Sequence, residues 1–301
     1  MSELSLTIPA GEICVLVGPS GGGKTTAMKM VNRLISITEG DITIEGRSVK
    51  ALDLTELRRG IGYVIQQVGL FPHLSVGDNI GTVPKLLGWP KKRIRERAAE
   101  LLELVGLEVE DATRYPGQLS GGQRQRVGLA RALAANPPLM LMDEPFGAID
   151  PITRERLQDE FLRLHREIRK TVIFVTHDID EAIKMGDRIA ILHQGGVLAQ
   201  YDTPDDILAH PASEFVERFV GADRGLKRLS LRALRDVELE PAGEVSADAP
   251  RCAPSTTLRD ALSVMLTEGA QEVVVVGDDG ETLGSLSLQR VSDLLREQVT
   301  A

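Results

Sequence analysis

The fold of this chain is decided by the stretch Gly18-Pro19-Ser20-Gly21-Gly22-Gly23-Lys24-Thr25. The stretch matches the pattern G-x-x-x-x-G-K-[ST] at every position. The apolar run Ile13–Val17 before it predicts a buried parallel strand, and residues 26–31 after it predict the start of a helix. In this context the glycines let backbone N–H groups surround phosphate oxygens, and the helix N-terminus adds partial positive charge. We therefore expect a nucleotide-phosphate site, where Lys24 can reach the β- and γ-phosphates and the Thr25 hydroxyl can ligate Mg²⁺.

Length and charge limit the classes of protein to which the chain can belong. Its 301 residues suffice for one large and one small domain, and no apolar run approaches the roughly 18 residues of a membrane span. The net charge of −9 and the aromatic content of 3% argue against a nucleic-acid partner. The one dense basic run, residues 91–97, fits a solvated helix face better than a nucleic-acid footprint.

Two further predicted strands end in side chains that could act on a phosphate. The run 139–142 is followed by Asp143 and Glu144. The first carboxylate could hold Mg²⁺ and the second could orient and deprotonate a water, although acids also occur where a strand simply meets solvent. The strand predicted at 171–176 is followed by His177, which could donate to a phosphate oxygen or be an ordinary loop residue.

Two predicted helix starts carry polar residues. Residues 119–123 read Leu-Ser-Gly-Gly-Gln and open an Ala/Leu-rich helix, so they could form a second anion site or no more than a capped helix end. Asp150 precedes Pro151 and predicts an N-cap followed by proline at the first helical position.

Taken together, these motifs resemble the ATP-binding subunit of ABC transporters over residues 1–220. Lys24, Gln66, the Asp143-Glu144 pair and His177 each follow a predicted strand, in that order along the chain. A phosphate loop alone marks many NTPases, whereas the Leu-Ser-Gly-Gly-Gln stretch is specific to this family.

The resemblance implies an α/β fold of the P-loop NTPase class. Its parts would be a RecA-like parallel-sheet core, an antiparallel β edge near residues 40–46, and an α-helical signature subdomain at about 75–135. The nucleotide-binding domain would cover residues 1–220, a linker 221–255, and a small α+β segment that resembles a CBS repeat 256–301.

Within the family, residues 65–73, 114–118 and 146–154 resemble importers of quaternary amines. The function implied is ATP hydrolysis that powers import of glycine betaine, choline or carnitine as osmoprotectants. Two alternatives stay open: an importer ATPase for another small solute such as an amino acid or proline, and a soluble ABC-type ATPase in DNA repair or translation.

The same resemblance assigns roles to individual residues. Those at the phosphates would be Gly18, Pro19, Ser20, Gly21, Gly22, Gly23, Lys24, Thr25 and Thr26. Mg²⁺ would be held through Thr25, Gln66 and Asp143. Catalysis would fall to Glu144 as general base, with His177 and Gln66. The residues facing the nucleotide of a partner chain would be Ser120, Gly121, Gly122, Gln123 and Asp150.

The resemblance also implies partners and a location. Each site would need two ATPase subunits, either two copies of this chain or this chain with a paralogue. Integral-membrane permease subunits would bind the loop at 71–73 and the helical subdomain, and a solute-binding protein would act indirectly. The ATPase would then lie on the cytoplasmic face of the inner (plasma) membrane, attached through the permease.

The two ends of the sequence depart from the family pattern. Leu4, Leu6 and Ile8 alternate with polar residues and predict the end of a half-buried strand. Members of the family carry a further strand and an adenine-stacking aromatic residue upstream, so the start codon is misplaced, the chain is truncated, or adenine is held differently; we favour the first two. In the CBS-like segment, Arg290 stands where many such repeats carry a ribose-binding acid, which leaves a nucleotide sensor and a packing or dimerisation module as alternatives.

Overall fold

The computed structural model describes residues 4–65, 69–147, 149–241 and 249–297. The chain divides into two units, Met1–Tyr201 and Asp202–Ala301. The functional boundaries predicted at residues 220 and 255 stay a prediction. Among the described residues, no helix combines the length and the apolar character needed to cross a membrane.

The first unit is built on a six-stranded sheet. The strands of this unit are β1 Ile13–Val17, β2 Thr43–Ile44, β3 Arg47–Ser48, β4 Ile61–Val64, β5 Leu139–Asp143, β6 Thr171–Val175, β7 Arg188–His193 and β8 Val197–Asp202. The sheet has the order β4-β5-β6-β1-β7-β8, and the pairs from β4 to β7 are parallel. The parallel core predicted from the sequence is therefore confirmed.

The helices of the first unit lie between these strands in the chain. They are α1 Lys24–Val31, α2 Leu54–Arg59, α3 Val76–Ile80, α4 Thr82–Leu86, α5 Lys91–Leu104, α6 Gly121–Leu133, α7 Pro151–Ile168 and α8 Ile179–Met185. Helices α3 to α6 form a helical segment between β4 and β5, as the family resemblance implied.

Burial explains why the central strands are continuous apolar runs. All five residues of β1 are buried, and β5 is buried until its last residue, Asp143. A strand covered on both faces needs apolar side chains at every position, whereas a strand with one wet face alternates. The first polar residue after the run therefore marks the place where the strand leaves the core.

Two predictions at the amino-terminal end have different outcomes. The antiparallel hairpin is confirmed, because β2 and β3 pair with Thr43 opposite Ser48. The strand predicted at residues 4–8 is wrong, since this segment has no strand conformation. Its alternation nevertheless has a cause: Leu4, Leu6 and Ile8 pack against the core while the residues between them face solvent. Every second side chain of this segment is therefore buried, although its backbone is not paired as a β-strand.

The second unit is a small α+β structure. It contains α9 Pro204–Ala209, α10 Glu214–Val220, α11 Arg224–Leu229, β9 Arg251–Cys252, α12 Leu258–Glu268, β10 Glu272–Val276, β11 Thr282–Ser287 and α13 Leu288–Glu297. β10 is central, antiparallel to β11 and parallel to β9. Residues 256–297 therefore combine helices and strands, as the predicted α+β segment requires, whereas the likeness to a CBS repeat stays a prediction.

The presence of glycine at position 284 in β11 is explained by a close backbone contact. Glycine generally weakens a strand, yet β11 runs through Gly284 over six residues. Gly284 has φ +153°, and a Cβ there would lie 2.8 Å from the carbonyl oxygen of Glu240. The strand tolerates glycine because the chain at Glu240 pairs directly against it, with Glu240 N–H donating to the Ser285 carbonyl at 2.9 Å.

We expect Leu141→Ala to lower the free energy of unfolding of the first unit by roughly 2–5 kcal/mol, because it opens a cavity in the middle of the sheet. Leu141 is fully buried in β5. The measurement is urea unfolding followed by fluorescence of Trp89, the single tryptophan of the chain. Leu34→Ala is the control, since 49% of Leu34 is exposed, and it should change stability little. Equal losses for the two variants would contradict this account of the core.

Candidate active site

The side chains predicted to act on phosphate meet at one edge of the parallel sheet. β5, β6 and β1 are neighbours, and the loops that follow them leave the sheet at their carboxyl ends. The Thr25 hydroxyl lies 3.2 Å from Asp143 Oδ1. His177 Nδ1 lies 3.3 Å from Glu144 Oε1. Two side-chain pairs that are distant in sequence therefore form one constellation.

The phosphate loop depends on glycine at points of close backbone approach. Gly18 has φ +150°, and a Cβ there would lie 2.2 Å from the carbonyl oxygen of Leu192. A Cβ on Gly22 would lie 2.9 Å from the Pro19 carbonyl oxygen, which accepts a hydrogen bond from the Gly22 N–H at 3.0 Å. Gly23 caps α1 in the left-handed conformation, with φ 80°. The loop is thus compact, and α1 begins immediately at Lys24.

Lys24 is buried inside this loop. Its ammonium donates to the carbonyl oxygens of Gly18 at 2.7 Å and Pro19 at 3.1 Å. Burial lowers the pKa of Lys24, while the charges of Glu144 and Asp143 act in the opposite direction. The loop therefore holds a desolvated cation close to two carboxylates, an environment in which electrostatic attraction to a phosphate is strengthened.

Asp143 is held in a similarly dry environment. Burial raises the pKa of Asp143, and the nearby Glu144 charge adds to this effect. The hydrogen bond from Thr25 and the charges of Lys29 and Lys24 oppose it. A carboxylate whose ionisation is costly in this way gains from a cation placed beside it.

The oxygen atoms of Thr25 and Asp143 suit Mg²⁺. This ion prefers oxygen ligands and is commonly held by one or two protein side chains together with substrate phosphates. A hydroxyl and a carboxylate 3.2 Å apart supply such a pair. The part of the chain that the structure describes contains no group of three or more His, Cys, Asp or Glu side chains that could hold a metal by itself. Gln66, predicted as a third ligand, lies outside the described residues.

Glu144 has a strained backbone. Its φ is +46°, a conformation that residues other than glycine adopt rarely and that occurs at functional sites. Two hydrogen bonds hold it: Glu144 N–H donates to the Val175 carbonyl at 2.9 Å, and Gly147 N–H donates to the Glu144 carbonyl at 3.1 Å. The bend turns the chain out of β5 directly after Asp143, so the two adjacent acids take different partners.

His177 stands on the short connection between β6 and α8. Its side chain is 65% exposed and faces Glu144. The next residue, Asp178, caps α8 by accepting from the N–H groups of Asp180 at 2.8 Å and Glu181 at 3.3 Å. His177 is therefore held in a short segment between a strand end and a capped helix.

The stretch at 119–123 forms a capping box at the start of α6. Ser120 Oγ accepts from the Gln123 N–H at 3.2 Å, and Gln123 Oε1 accepts from the Ser120 N–H at 2.9 Å. Within the described residues, no hydrogen bond joins Ser120, Gly121, Gly122 or Gln123 to the phosphate loop. The capped helix start is confirmed, and the second anion site stays a prediction.

Asp150 has the structural role that the sequence predicted. It caps α7 by accepting from the Thr153 N–H at 3.0 Å, and Pro151 occupies the first helical position. This hydrogen bond is also the main reason that the pKa of Asp150 is lowered. The carboxylate is exposed, so it is accessible to a partner chain, but its role in joining two chains stays a prediction.

One contact beside the site was not found from the sequence. The Gln125 amide, in α6, donates to the carbonyl oxygen of Pro145, the residue after Glu144. This hydrogen bond joins α6 to the loop that follows Asp143 and Glu144. No sequence signal identifies this contact, because a polar residue on an amphipathic helix is normally on the solvent side.

The fold and the site together define a nucleotide-binding protein of the P-loop class. The parallel sheet carries a glycine phosphate loop after β1, an Asp-Glu pair after β5 and a histidine after β6.

Comparison with known proteins identifies the family within this class. The family described as ABC transporter matches residues 1–147. The osmoprotectant import ATP-binding protein OsmV of Salmonella typhimurium is 50% identical over 94% of this chain and 73% of its own length. The glycine betaine/carnitine/choline transport ATP-binding protein OpuCA of Bacillus subtilis is 48% identical over 97% of this chain and 75% of its own.

A solved structure agrees with these relatives. The dimeric ATP-binding cassette MJ0796, in a post-hydrolysis state bound to ADP and Pi, has a TM-score of 0.58 and 39% sequence identity to this chain. The match covers 66% of this chain and 88% of that one. The chain belongs to the ABC transporter family, as an ATP-binding subunit.

We expect Gly18→Ala to weaken ATP binding at least about tenfold, because a backbone strain of roughly 1–3 kcal/mol must be relieved before the loop can close on phosphate. The added Cβ would meet the backbone of Leu192, which cannot move aside as a flexible side chain could. ATP affinity is measured by calorimetric titration. Gly117→Ala, outside the phosphate loop, is the control, since its backbone is not in the left-handed region and a Cβ there would meet no heavy atom within 4 Å. If both variants bind ATP alike, the close approach at Gly18 is not what shapes the loop.

Because the pKa of Asp143 is raised in the folded chain, we expect this carboxyl to lower the stability of the fold at neutral pH. The unfolded chain ionises this carboxyl at a lower pH than the folded chain, so its ionisation costs folding free energy above that range. Asp143→Asn should therefore raise the melting temperature at neutral pH, and the gain should shrink as the pH falls toward the ordinary value of 3.8. Asp159→Asn, which removes an exposed carboxylate 2.8 Å from Lys184, should give no such gain. A melting temperature that is lower in Asp143→Asn than in the wild type at neutral pH would contradict this.

Proposed function

We propose that this chain binds and hydrolyses ATP to power an importer of quaternary-amine osmoprotectants such as glycine betaine, choline or carnitine. The observation that carries the ATPase proposal is the joint placement of the Thr25–Asp143 and Glu144–His177 pairs at one sheet edge. The solute class is supported by the identity of about half the residues with the osmoprotectant importer subunits named above.

Binding of the substrate would use the loop and the dry charges around it. Backbone N–H groups of the loop and the Lys24 ammonium would hold the phosphates. Thr25 and Asp143, with Gln66, would hold Mg²⁺, which neutralises charge that develops on the phosphate oxygens. Because Lys24 and Asp143 are both desolvated, their interactions with the bound substrate would be stronger than at an exposed surface.

Hydrolysis would use the Glu144–His177 pair. The Glu144 carboxylate would orient the attacking water and accept its proton. The exposed His177 imidazole would donate to a γ-phosphate oxygen and, at 3.3 Å, keep the Glu144 side chain directed toward the water. The two hydrogen bonds that hold the strained Glu144 backbone would fix the carboxylate before the substrate arrives.

A complete site would take two ATPase subunits. The start of α6, with Ser120, Gly121, Gly122 and Gln123, would close over the nucleotide of the partner, and Asp150 would help join the two chains. The capping box supports this role, since it fixes an exposed helix N-terminus that favours anions. The partner would be a second copy of this chain or a paralogue.

The remaining partners would be membrane proteins. Exposed apolar side chains suit a permease contact, because large apolar groups on a surface mark interaction sites. They include Phe71, Leu86 and Leu87, in the loop and helices that follow β4. The chain would then work at the cytoplasmic face of the inner membrane, with a solute-binding protein acting indirectly and no nucleic acid involved. Residues 1–220 would form the ATPase domain, with 256–301 as a CBS-like module beyond a linker.

Transport is tested by expressing this chain with a candidate quaternary-amine permease and solute-binding protein in cells that lack such importers. Uptake of labelled glycine betaine, choline and carnitine is measured at high osmolarity. Uptake that depends on Lys24 supports the proposal. If the chain drives uptake only of an amino acid such as proline, the solute class is wrong. If membranes that contain the permease never retain the chain, the transporter function is wrong and a soluble ATPase role takes its place.

We expect Glu144→Gln to lower ATP turnover by about 10²–10⁴-fold, because the amide keeps the shape of the side chain but cannot accept a proton. ATP affinity should be retained, since the phosphate loop is unchanged. Phosphate release gives the turnover and calorimetry gives the affinity. Glu155→Gln, an exposed position on α7, is the matched control and should turn over ATP like the wild type. Turnover at the wild-type rate in Glu144→Gln would remove Glu144 from the role of base.

A further inference from the structure

A buried polar cluster lies behind the active-site histidine. It consists of Gln158 in α7, Glu181 in α8 and Thr176 at the end of β6, and we call it the Gln158 cluster. Gln158 Nε2 donates to Glu181 Oε1 at 2.9 Å. The Thr176 hydroxyl lies close enough to the Glu181 carboxylate to lower the pKa of Glu181. All three residues are buried.

Burying these polar side chains costs folding free energy. The helix faces around it pack through apolar side chains such as Leu157, Phe161 and Ala182, which would need no hydrogen-bond partners. Burial raises the pKa of Glu181, and the charge of Asp178 adds to this effect, while the other two members of the cluster and the charge of Arg154 oppose it. Replacing such a polar group by apolar side chains of similar volume is often neutral or stabilising. Stability alone therefore does not account for its presence.

The position of the cluster indicates a role at the active site. Thr176 directly precedes His177, and its Oγ1 accepts a hydrogen bond from the Asp178 N–H at 3.1 Å, on the other side of the histidine. The cluster thus holds the backbone on both sides of His177. The exposed imidazole itself has Glu144 as the partner that the structure shows. The backbone that carries the ring is therefore held from the side opposite the solvent.

Gln158 is the member that ties this segment to another element. Thr176 and Glu181 lie close in sequence to His177, but Gln158 comes from α7, whose first turn is capped by Asp150. One helical turn earlier, Arg154 donates to the carbonyl of Ile149, directly before Asp150, at 3.0 Å. The same helix therefore contacts both the loop before it and the cluster behind His177.

We infer that Gln158 and Glu181 are positioning residues that hold His177 against Glu144 during ATP hydrolysis. This inference rests on the proposed ATPase function. Neither residue touches the reacting atoms in this assignment; both act through Thr176 and the backbone of His177.

The first test is Gln158→Met in the full-length chain, which removes the amide donor but keeps a similar volume. We expect kcat to fall about tenfold while KM for ATP changes less than about twofold, since misplacing a reacting group costs turnover more than binding. The matched control is His165→Leu. His165 lies on the same helix and is as buried as Gln158 (6% against 5% exposed). Its Nε2 forms a hydrogen bond with the carbonyl of Lys170 at 2.7 Å, away from the Gln158 cluster. That variant should lose stability without losing kcat.

A second variant separates hydrogen bonding from packing. Glu181→Gln keeps an oxygen that can accept from Gln158, so we expect most of the wild-type turnover. Glu181→Leu removes the acceptor, so kcat should fall as in Gln158→Met. Equal turnover in the two Glu181 variants would overturn the inference.

The route through His177 is tested in two ways. In histidine-labelled protein, the ring resonance of His177, assigned by its loss in His177→Ala, should move in Gln158→Met and stay in place in His165→Leu. In a His177→Ala background, Gln158→Met should lower the residual turnover no further. An unmoved resonance, or a full second loss of turnover, would overturn the inference. If the wild type hydrolyses no ATP, the proposed function fails, and the resonance still decides whether the Gln158 cluster positions His177.

Discussion

The candidate active site depends on the register of three parallel strands. Val175, the last residue of β6, lies opposite Leu16 of β1 on one side and Asp143 of β5 on the other. Two hydrogen bonds extend this alignment past the strand ends, from Glu144 N–H to the Val175 carbonyl and from Thr176 N–H to the Leu16 carbonyl. Because all three strands point the same way and end at the same level, the residues that follow them meet. A slip of β5 by one residue would separate the acids from the phosphate loop.

This alignment places charge where water is scarce. Lys24, Asp143 and Glu144 lie within electrostatic range of one another, and burial disfavours the charged forms of Lys24 and Asp143. The two carboxylates partly compensate the charge of Lys24, and Lys24 and Lys29 partly compensate that of Asp143, which the neighbouring Glu144 charge disfavours. The same edge of the sheet carries the unusual backbone conformations of Gly18, which lies close to the Leu192 carbonyl of β7, and of Glu144, whose N–H donates to the Val175 carbonyl of β6. Sites of this kind give up some stability for a fixed arrangement of charges.

The sequence predicted the parts of the site that depend on local pattern. The glycine loop, the acids after β5 and the histidine after β6 could each be predicted as candidates, because each follows a continuous apolar run whose end is visible in the sequence. The prediction failed at residues 4–8, where alternate burial arises from packing without a ladder. Gly284 is a second case in which local pattern is insufficient. Glycine generally weakens a strand, yet it is required in β11 because Glu240 lies close to the backbone there.

The sequence by itself determined the family, the phosphate loop and the identity of the residues around it, since these follow from short-range spacing and residue chemistry. Only the tertiary structure decided which of them are partners. The Thr25–Asp143 contact joins residues 118 positions apart. Gln125 and Gln158 show why such contacts escape a reading of the sequence: each sits in an amphipathic helix, and its role depends on the backbone or carboxylate that packing brings to it. Helical periodicity states which face of a helix is buried, but the groups that meet that face are set by strand order and register.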